Sequence, residues 1–242
     1  MIMKNIIKLI TAIAFLIIIC LFVLYFSLNS IVEKGIKTFA PQVTLTDVTL
    51  EKSSISLFSG KGELKGLIIG NPEGFSKNNA VTLETIKVSL DVKSIFSDIL
   101  RIKKISIDGP KISYEIDRKR NNIKTIRNNI KSFTKKDRGL KKTSRNKKDT
   151  QKKIIIDLLE IKNGEIGLAA TFFKGKGISL ELTEIIVRDM GRGKGGLTPA
   201  ETSFEIFKML SNSVNRAVSV STDTLKEKAD ALLDRFKGIL DK

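Results

Sequence analysis

The chain has 242 residues, and its 43 Lys and Arg outnumber 26 Asp and Glu to give a net charge of +17. It contains no His, no Trp and one Cys. That composition removes the commonest general base, the commonest metal ligand and any disulfide or thiolate-metal framework within the chain.

Residues 1–8 carry Lys4 and Lys8 and precede an uncharged run from Leu9 to Leu28, LITAIAFLIIICLFVLYFSL. At about 1.5 Å per helical residue, such a run matches the hydrocarbon core of a bilayer, roughly 30 Å thick. It is too long for a cleavable signal, and Ser27-Leu28-Asn29 is a poor cleavage site. The expectation is an uncleaved transmembrane helix over 9–28, with Cys20 as an ordinary apolar residue within it. Lys4 and Lys8 outweigh Lys34 and Lys37, which Glu33 partly offsets, and this favours a cytoplasmic N-terminus for residues 1–8. The bulk of the chain then lies in the periplasm of a Gram-negative cell, held by one span in the inner membrane.

From Pro41 to Ile116 the sequence is strand-like, and residues 29–130 form the first part of a sheet domain. Val43 and Leu45 alternate with Thr44 and Thr46, and Ile86, Val88, Leu90 and Val92 with Lys87, Ser89 and Asp91. Further on, Ile105 and Ile107 alternate with Ser106 and Asp108, and Ile112, Tyr114 and Ile116 with Ser113 and Glu115. Period-two alternation of this kind predicts a sheet with one apolar and one wet face. Turn chemistry falls at Ser59–Gly62, Asn71–Gly74 and Asp108-Gly109-Pro110. Ile123, Ile126, Ile130 and Phe133 predict a short helix.

Residues 131–153, KSFTKKDRGLKKTSRNKKDTQKK, hold eleven Lys and Arg against two Asp. So few apolar residues cannot offset the entropy of ordering, which predicts a disordered basic loop. Lys135, Lys136, Lys141, Lys142, Arg145, Lys147 and Lys148 are its candidates for contact with anionic head groups or an acidic partner. The loop has no interleaved aromatic residues, so no nucleic acid is expected.

A second part of the sheet, 154–197, follows. Ile105 to Ile112 and Leu159 to Ile166 share an aliphatic-x-Ile, Gly-turn, Ile pattern, and each predicts a hairpin of the same build. Thr198-Pro199-Ala200-Glu201 is a helix start, with Thr as cap, Pro in the first turn and Glu completing a capping box. Two amphipathic helices are predicted over 198–242, the second beginning near Ser221–Asp223. Gly191 to Gly196 lacks the Gly-Lys-Ser/Thr ending of a phosphate loop, and Ser132-Phe133-Thr134-Lys135 is a chance match to Ser-x-x-Lys in a Lys-rich chain. No catalytic residue, metal ligand or cofactor is expected, and the chain reads as non-enzymatic.

Taken together, the N-terminal apolar run, "LIIGNPEGFS", "LETIKVSLDVKSIFS" and "LRIKKISIDGPKISYEID" resemble a short AsmA-like family protein. "EIKNGEIGL" and "RDMGRGKGGLTPAETSFEIFKML" resemble the later half of compact members. The resemblance implies an α+β fold: an N-terminal transmembrane helix, then a mostly antiparallel curved β-sheet with C-terminal amphipathic helices. It also implies kinship with bridge-like lipid-transfer proteins, whose curved sheets shelter acyl chains on an apolar floor. The floor candidates it implies here are Ile86, Val88, Leu90, Val92, Ile105, Ile107, Ile112, Tyr114, Ile166, Leu168, Leu180 and Leu182. Periodicity leaves open whether this face is a groove or is closed by the C-terminal helices. Two functions follow as expectations, a lipid handler in the cell envelope with phospholipid as partner, or an assembly factor that binds other envelope proteins.

Overall fold

The computed structural model describes residues 2–117, 120–143, 152–168 and 178–240. Helix α1 (Ile2–Thr44) is followed by strands β1 (Val48–Thr49), β2 (Lys52–Ser56), β3 (Lys61–Gly70) and β4 (Asn79–Leu90). A 3-10 turn over Val92–Phe96 leads to β5 (Ile99–Asp108), β6 (Lys111–Tyr114) and a ribbon of β7 (Ile116–Asp117) and β8 (Arg120–Asn121). Helix α2 (Asn122–Thr143) crosses to β9 (Lys153–Lys162), β10 (Gly164–Leu168), β11 (Ile178–Leu182) and β12 (Ile185–Met190), and α3 (Pro199–Leu240) follows.

Among the described residues the ten strands of the main sheet lie in six lanes, because most lanes are one long strand interrupted halfway. β5 and β6 pair with β4 in a single antiparallel register, Ile107 opposite Ile86 and Ile112 opposite Val81. β9 and β10 run parallel to them, with Ile105 beside Leu159 and Ile112 beside Ile166. β11 and β12 continue the register antiparallel, Leu180 opposite Ile166 and Ile185 opposite Ile161. On the other side β1 and β2 share one antiparallel register along β3. The sheet is therefore mixed. The two sequence segments that look alike are not hairpins: each is one strand that bends, and the two lie side by side.

All the interruptions fall on one rung. Extending the registers sets Glu51 opposite Gly66, then Glu84, Gly109, Asn163 and Thr183 in line. Three of these six, Gly66, Gly109 and Asn163, have φ of 62°, 63° and 54°. A left-handed residue inside a strand turns the chain and reverses the alternation of side chains. Along β5 and β6 the inward residues are Ile105 and Ile107 before the crease, then Pro110, Ile112 and Tyr114 after it. Along β9 and β10 they are Leu159 and Ile161, then Gly164 and Ile166. The crease folds the sheet toward its apolar face.

Three helices fill that concave side. Ile123, Ile126 and Ile130 of α2 are 0–1 % exposed, each side chain contributing about 1.5–3 kcal/mol by burial. Phe207, Leu210 and Val214 of α3 and Val43 of α1 join the same core. Phe39 of α1 meets Phe133 of α2 edge-on, with ring centroids 5.8 Å apart. Asn129 Nδ2 of α2 donates to the Thr44 carbonyl at the end of α1, 2.8 Å away. The Thr198 capping box forms as predicted: Glu201 N–H donates to Thr198 Oγ1 and Thr198 N–H donates to a Glu201 carboxylate oxygen.

The structure departs from four expectations. The transmembrane helix over 9–28 is overturned: among the described residues no helix is long and apolar enough to cross a membrane. That segment is the first part of a 43-residue helix, which runs on through Asn29, Glu33 and Lys34, and the single-pass inner-membrane placement loses its support with the span. Nothing breaks the helix until Leu45, whose φ of 53° ends it, so Val43 is helical rather than the start of a strand. The expected disordered loop over 131–153 is helical as far as Thr143, because Phe133 and Thr134 are inward positions and Arg138 pairs with Glu201. The two C-terminal helices are one, since no Gly or Pro interrupts Ser211 to Leu225.

Candidate functional site

The crease and the helices leave an apolar cavity of about 320 Å³ between them. Its floor is the middle of the sheet: Leu64, Leu67 and Ile69 of β3, Val81, Leu83, Ile86 and Val88 of β4, and Ile105 and Ile107 of β5. Pro110, Leu159 and Ile161 complete the floor beyond β5. The roof is Phe39, Ala40 and Val43 from the last turns of α1, Ile130 of α2, and Ile206, Phe207 and Leu210 of α3. Ser203 and Thr44 are the polar residues among the lining, and both hydroxyls donate to carbonyls of their own helices. The walls therefore offer an occupant dispersion and exclusion of water, with no free polar group to orient a head group. The volume sits at the small end of known ligand pockets.

Four of the twelve floor candidates, Ile86, Val88, Ile105 and Ile107, line this cavity. Ile112, Tyr114, Ile166 and Leu182 are buried in the core nearby, outside the cavity wall. Leu168 and Leu180 pack half-buried against the core. Leu90 and Val92 lie elsewhere, at the end of β4 and in the 3-10 turn after it. The apolar face is thus closed by α1, α2 and α3 over most of its area, and what remains of a groove is the cavity. Leu64, Leu67 and Leu83 escaped sequence reasoning, although their spacing against Ile86 and Val88 carries the change of parity at the crease. In the roof, Ile130 lies in the helix expected from Ile123 to Phe133 and Phe207 and Leu210 in the amphipathic segment after Thr198, while the last turns of α1 left no comparable signal.

Of the basic candidates, Lys135 and Lys136 are exposed on α2. Lys141 and Lys142 belong to the helix, while Arg145, Lys147 and Lys148 lie outside the described residues. The anchoring of this segment is electrostatic as well as apolar. Burial alone would raise the Glu201 carboxyl, but the Thr198 N–H and the Arg138 guanidinium together hold it below the usual carboxylate range.

The turn Gly70–Ser76 ahead of β4 proves to be a clasp at the far end of the sheet. Glu115 is 7 % exposed, and its carboxylate accepts from Asn71 Nδ2 at 2.7 Å, from Ser76 N–H at 3.0 Å and from Ser76 Oγ at 2.5 Å. Asn122, fully buried at the start of α2, accepts from the N–H groups of Glu115 and Ile123. Its amide nitrogen donates to Asn71 Oδ1 and to the Ser113 carbonyl. Arg120 sits over the Phe75 ring, 5.8 Å from its centre. The loop thereby fixes where α2 leaves the sheet. Among the described residues every buried side-chain nitrogen and oxygen has a partner, and no cluster of His, Cys, Asp or Glu can hold a metal ion.

Comparison with known proteins returns one family: the model described as the AsmA family matches residues 3–193. No curated protein matches the chain.

Proposed function

The chain belongs to the AsmA family, and on that premise we propose that it is a non-enzymatic protein that shelters a phospholipid acyl chain in the cavity beneath α1, α2 and α3. Membership is consistent with an envelope-associated protein related to lipid transport. The observation that carries the finer reading is the cavity itself, roofed by three helices and lined almost wholly by aliphatic and aromatic side chains. A packed interior has few voids larger than a water molecule, so a cavity of this size at a crease built by left-handed residues is a feature to be explained. Six lanes at about 4.8 Å each make a sheet only on the order of 25 Å across. A single copy at that width holds a lipid locally rather than bridging two membranes.

Native mass spectrometry from detergent tests the reading. The unaltered chain is expected to carry phospholipid, and Val88→Phe, which fills the cavity from its floor, is expected to carry much less while melting within a few degrees of it. An unaltered chain free of lipid refutes the proposal. A stable protein partner in place of lipid turns the assignment to an envelope assembly factor.

A further inference from the structure

The two edges of the sheet are finished differently among the described residues. At β2 the edge is closed by α1: Ser53 N–H donates to a Glu33 carboxylate oxygen at 2.7 Å and Ile55 N–H to Asn29 Oδ1 at 2.8 Å. Ser53 Oγ donates to the Asn29 carbonyl as well. Those bonds take up groups that a further strand would need. At the opposite edge β12 pairs with β9 alone. Ile154 of β9 exchanges both backbone bonds with Leu197 beyond β12. By alternation Leu158 and Glu160 also turn toward β12, where Arg188 and Ile186 stand opposite them. The backbone groups of Ile185 and Val187 are then left facing outward, away from β9.

The open stretch, Glu184-Ile185-Ile186-Val187-Arg188, is complementary to its own reversal. Glu184, Ile186 and Arg188 are exposed on the convex face, and Ile185 and Val187 turn inward. Laid antiparallel on a second copy about Ile186, the stretch sets Ile186 against Ile186, Ile185 against Val187, and Glu184 against Arg188 at both ends. Ile185 and Val187 then exchange the backbone bonds, and the two Ile186 side chains meet at the closer, non-bonded spacing. Ile186 is 49 % exposed, so an apolar pair gains cover between two opposite-charge pairs. Neighbouring charges are already committed: Glu160, which feels the charge of Arg188, pairs with Lys104, and Asp189 pairs with Arg192. The stretch is bounded on both sides. Asp189 leaves the extended conformation with φ of 54°, and Ser213 of α3 donates to the Thr183 carbonyl.

We propose that two copies of the chain pair antiparallel along β12, about a two-fold axis at Ile186. A second copy is the fitting occupant because the order of charges and the apolar centre are matched by the same stretch reversed. The pair carries one sheet of twelve lanes, on the order of 50 Å across, with both apolar faces on the same side. Pairing stops at two, since α1 caps the β2 edge at either end of the joined sheet and a two-fold contact uses the same patch on both copies. The contact does not depend on lipid in the cavity. Five residues a side fall short of a standard interface, which places the dissociation constant in the micromolar range, about 1 to 100 μM.

Charge reversal at the two ends of the stretch tests the register. Sedimentation velocity of the full-length protein in detergent micelles, across that concentration range, is expected to show a monomer–dimer equilibrium. Glu184→Arg and Arg188→Glu each set like charges together at both ends and are expected to weaken the dimer about ten-fold or more. Both positions are exposed, and circular dichroism melts close to that of the unaltered chain confirm that the variants are folded. An equimolar mixture of the two variants restores opposite charges at both ends and is expected to dimerise like the unaltered chain. Repulsion by the net charge of +17 does not mimic this pattern, because it would weaken the first variant and strengthen the second. Association through the exposed apolar residues of α1 is common to every variant. An unaltered chain that stays monomeric throughout overturns the proposal. So do single variants that dimerise as well as the unaltered chain, or a mixture no better than its components.

Discussion

Gly66→Ala and Gly109→Ala test whether the crease is a designed bend, because they differ in only one respect. Both residues have φ near +62°, where an L side chain costs roughly 1–2 kcal/mol. Around Gly109 a new Cβ would meet nothing within 4 Å. Strain is then the whole penalty, and about 0.4–1 kcal/mol of it is returned by the stiffer unfolded chain. Around Gly66 the same Cβ would lie 2.8 Å from Cβ of Glu51 on the neighbouring lane, adding an overpacking cost of roughly 1–3 kcal/mol. At about 2–4 °C per kcal/mol for a chain of this size, Gly109→Ala should lower the melting temperature by a few degrees. Gly66→Ala should lower it by roughly twice as much or more. Gly167, on β10 away from the crease, has negative φ and only ordinary van der Waals space, so Gly167→Ala should leave the melt within about one degree or raise it. Thermal unfolding followed by circular dichroism in detergent ranks the three. Equal losses at positions 66, 109 and 167 would refute the argument that these glycines hold a left-handed bend.

The clasp makes a larger demand: Asn122→Ala strips partners from two buried N–H groups and the Ser113 carbonyl, at about 1–3 kcal/mol each. Urea titration should show a loss of several kcal/mol or no cooperative fold, against a loss near 1 kcal/mol for an ordinary surface change. Glu201→Gln should flatten the acid side of the stability profile. A carboxyl held below its unfolded pKa stabilises fully above that value and loses its contribution as pH falls through the folded value, so melts from neutral to acid pH should converge for the two chains as pH falls. Asn29→Ala with Glu33→Ala removes the side chains that accept from the Ile55 and Ser53 N–H groups on the outer edge of β2. Those two amides should then exchange with solvent markedly faster, while amides in β9 remain protected.

Much of the sheet was legible in the sequence because the period-two pattern is a local consequence of backbone geometry. Ile105 and Ile107, then Ile112 and Tyr114, announce inward faces before and after a turn. The capping box at Thr198 and the turn at Asn71–Gly74 are equally local, since a cap or a turn is written in three or four consecutive residues. The same locality explains the failures. Asp108-Gly109-Pro110 has the chemistry of a reversal, yet the chain bends there and runs on, because the neighbouring lanes hold both halves in one register. The resemblance between Ile105–Ile112 and Leu159–Ile166 showed a repeated unit, but only the crossover of α2 decided that the copies lie parallel. Hydropathy marked Leu9 to Leu28 as a unit of its own, whereas the helix extends to Thr44 and its last turns roof the cavity. Closure of the apolar face was decided by tertiary structure alone. Whether Ile86 and Val88 meet water, lipid or Phe207 depends on residues of three helices remote in sequence on both sides, and side-chain alternation along a strand records only which face is apolar, never what covers it.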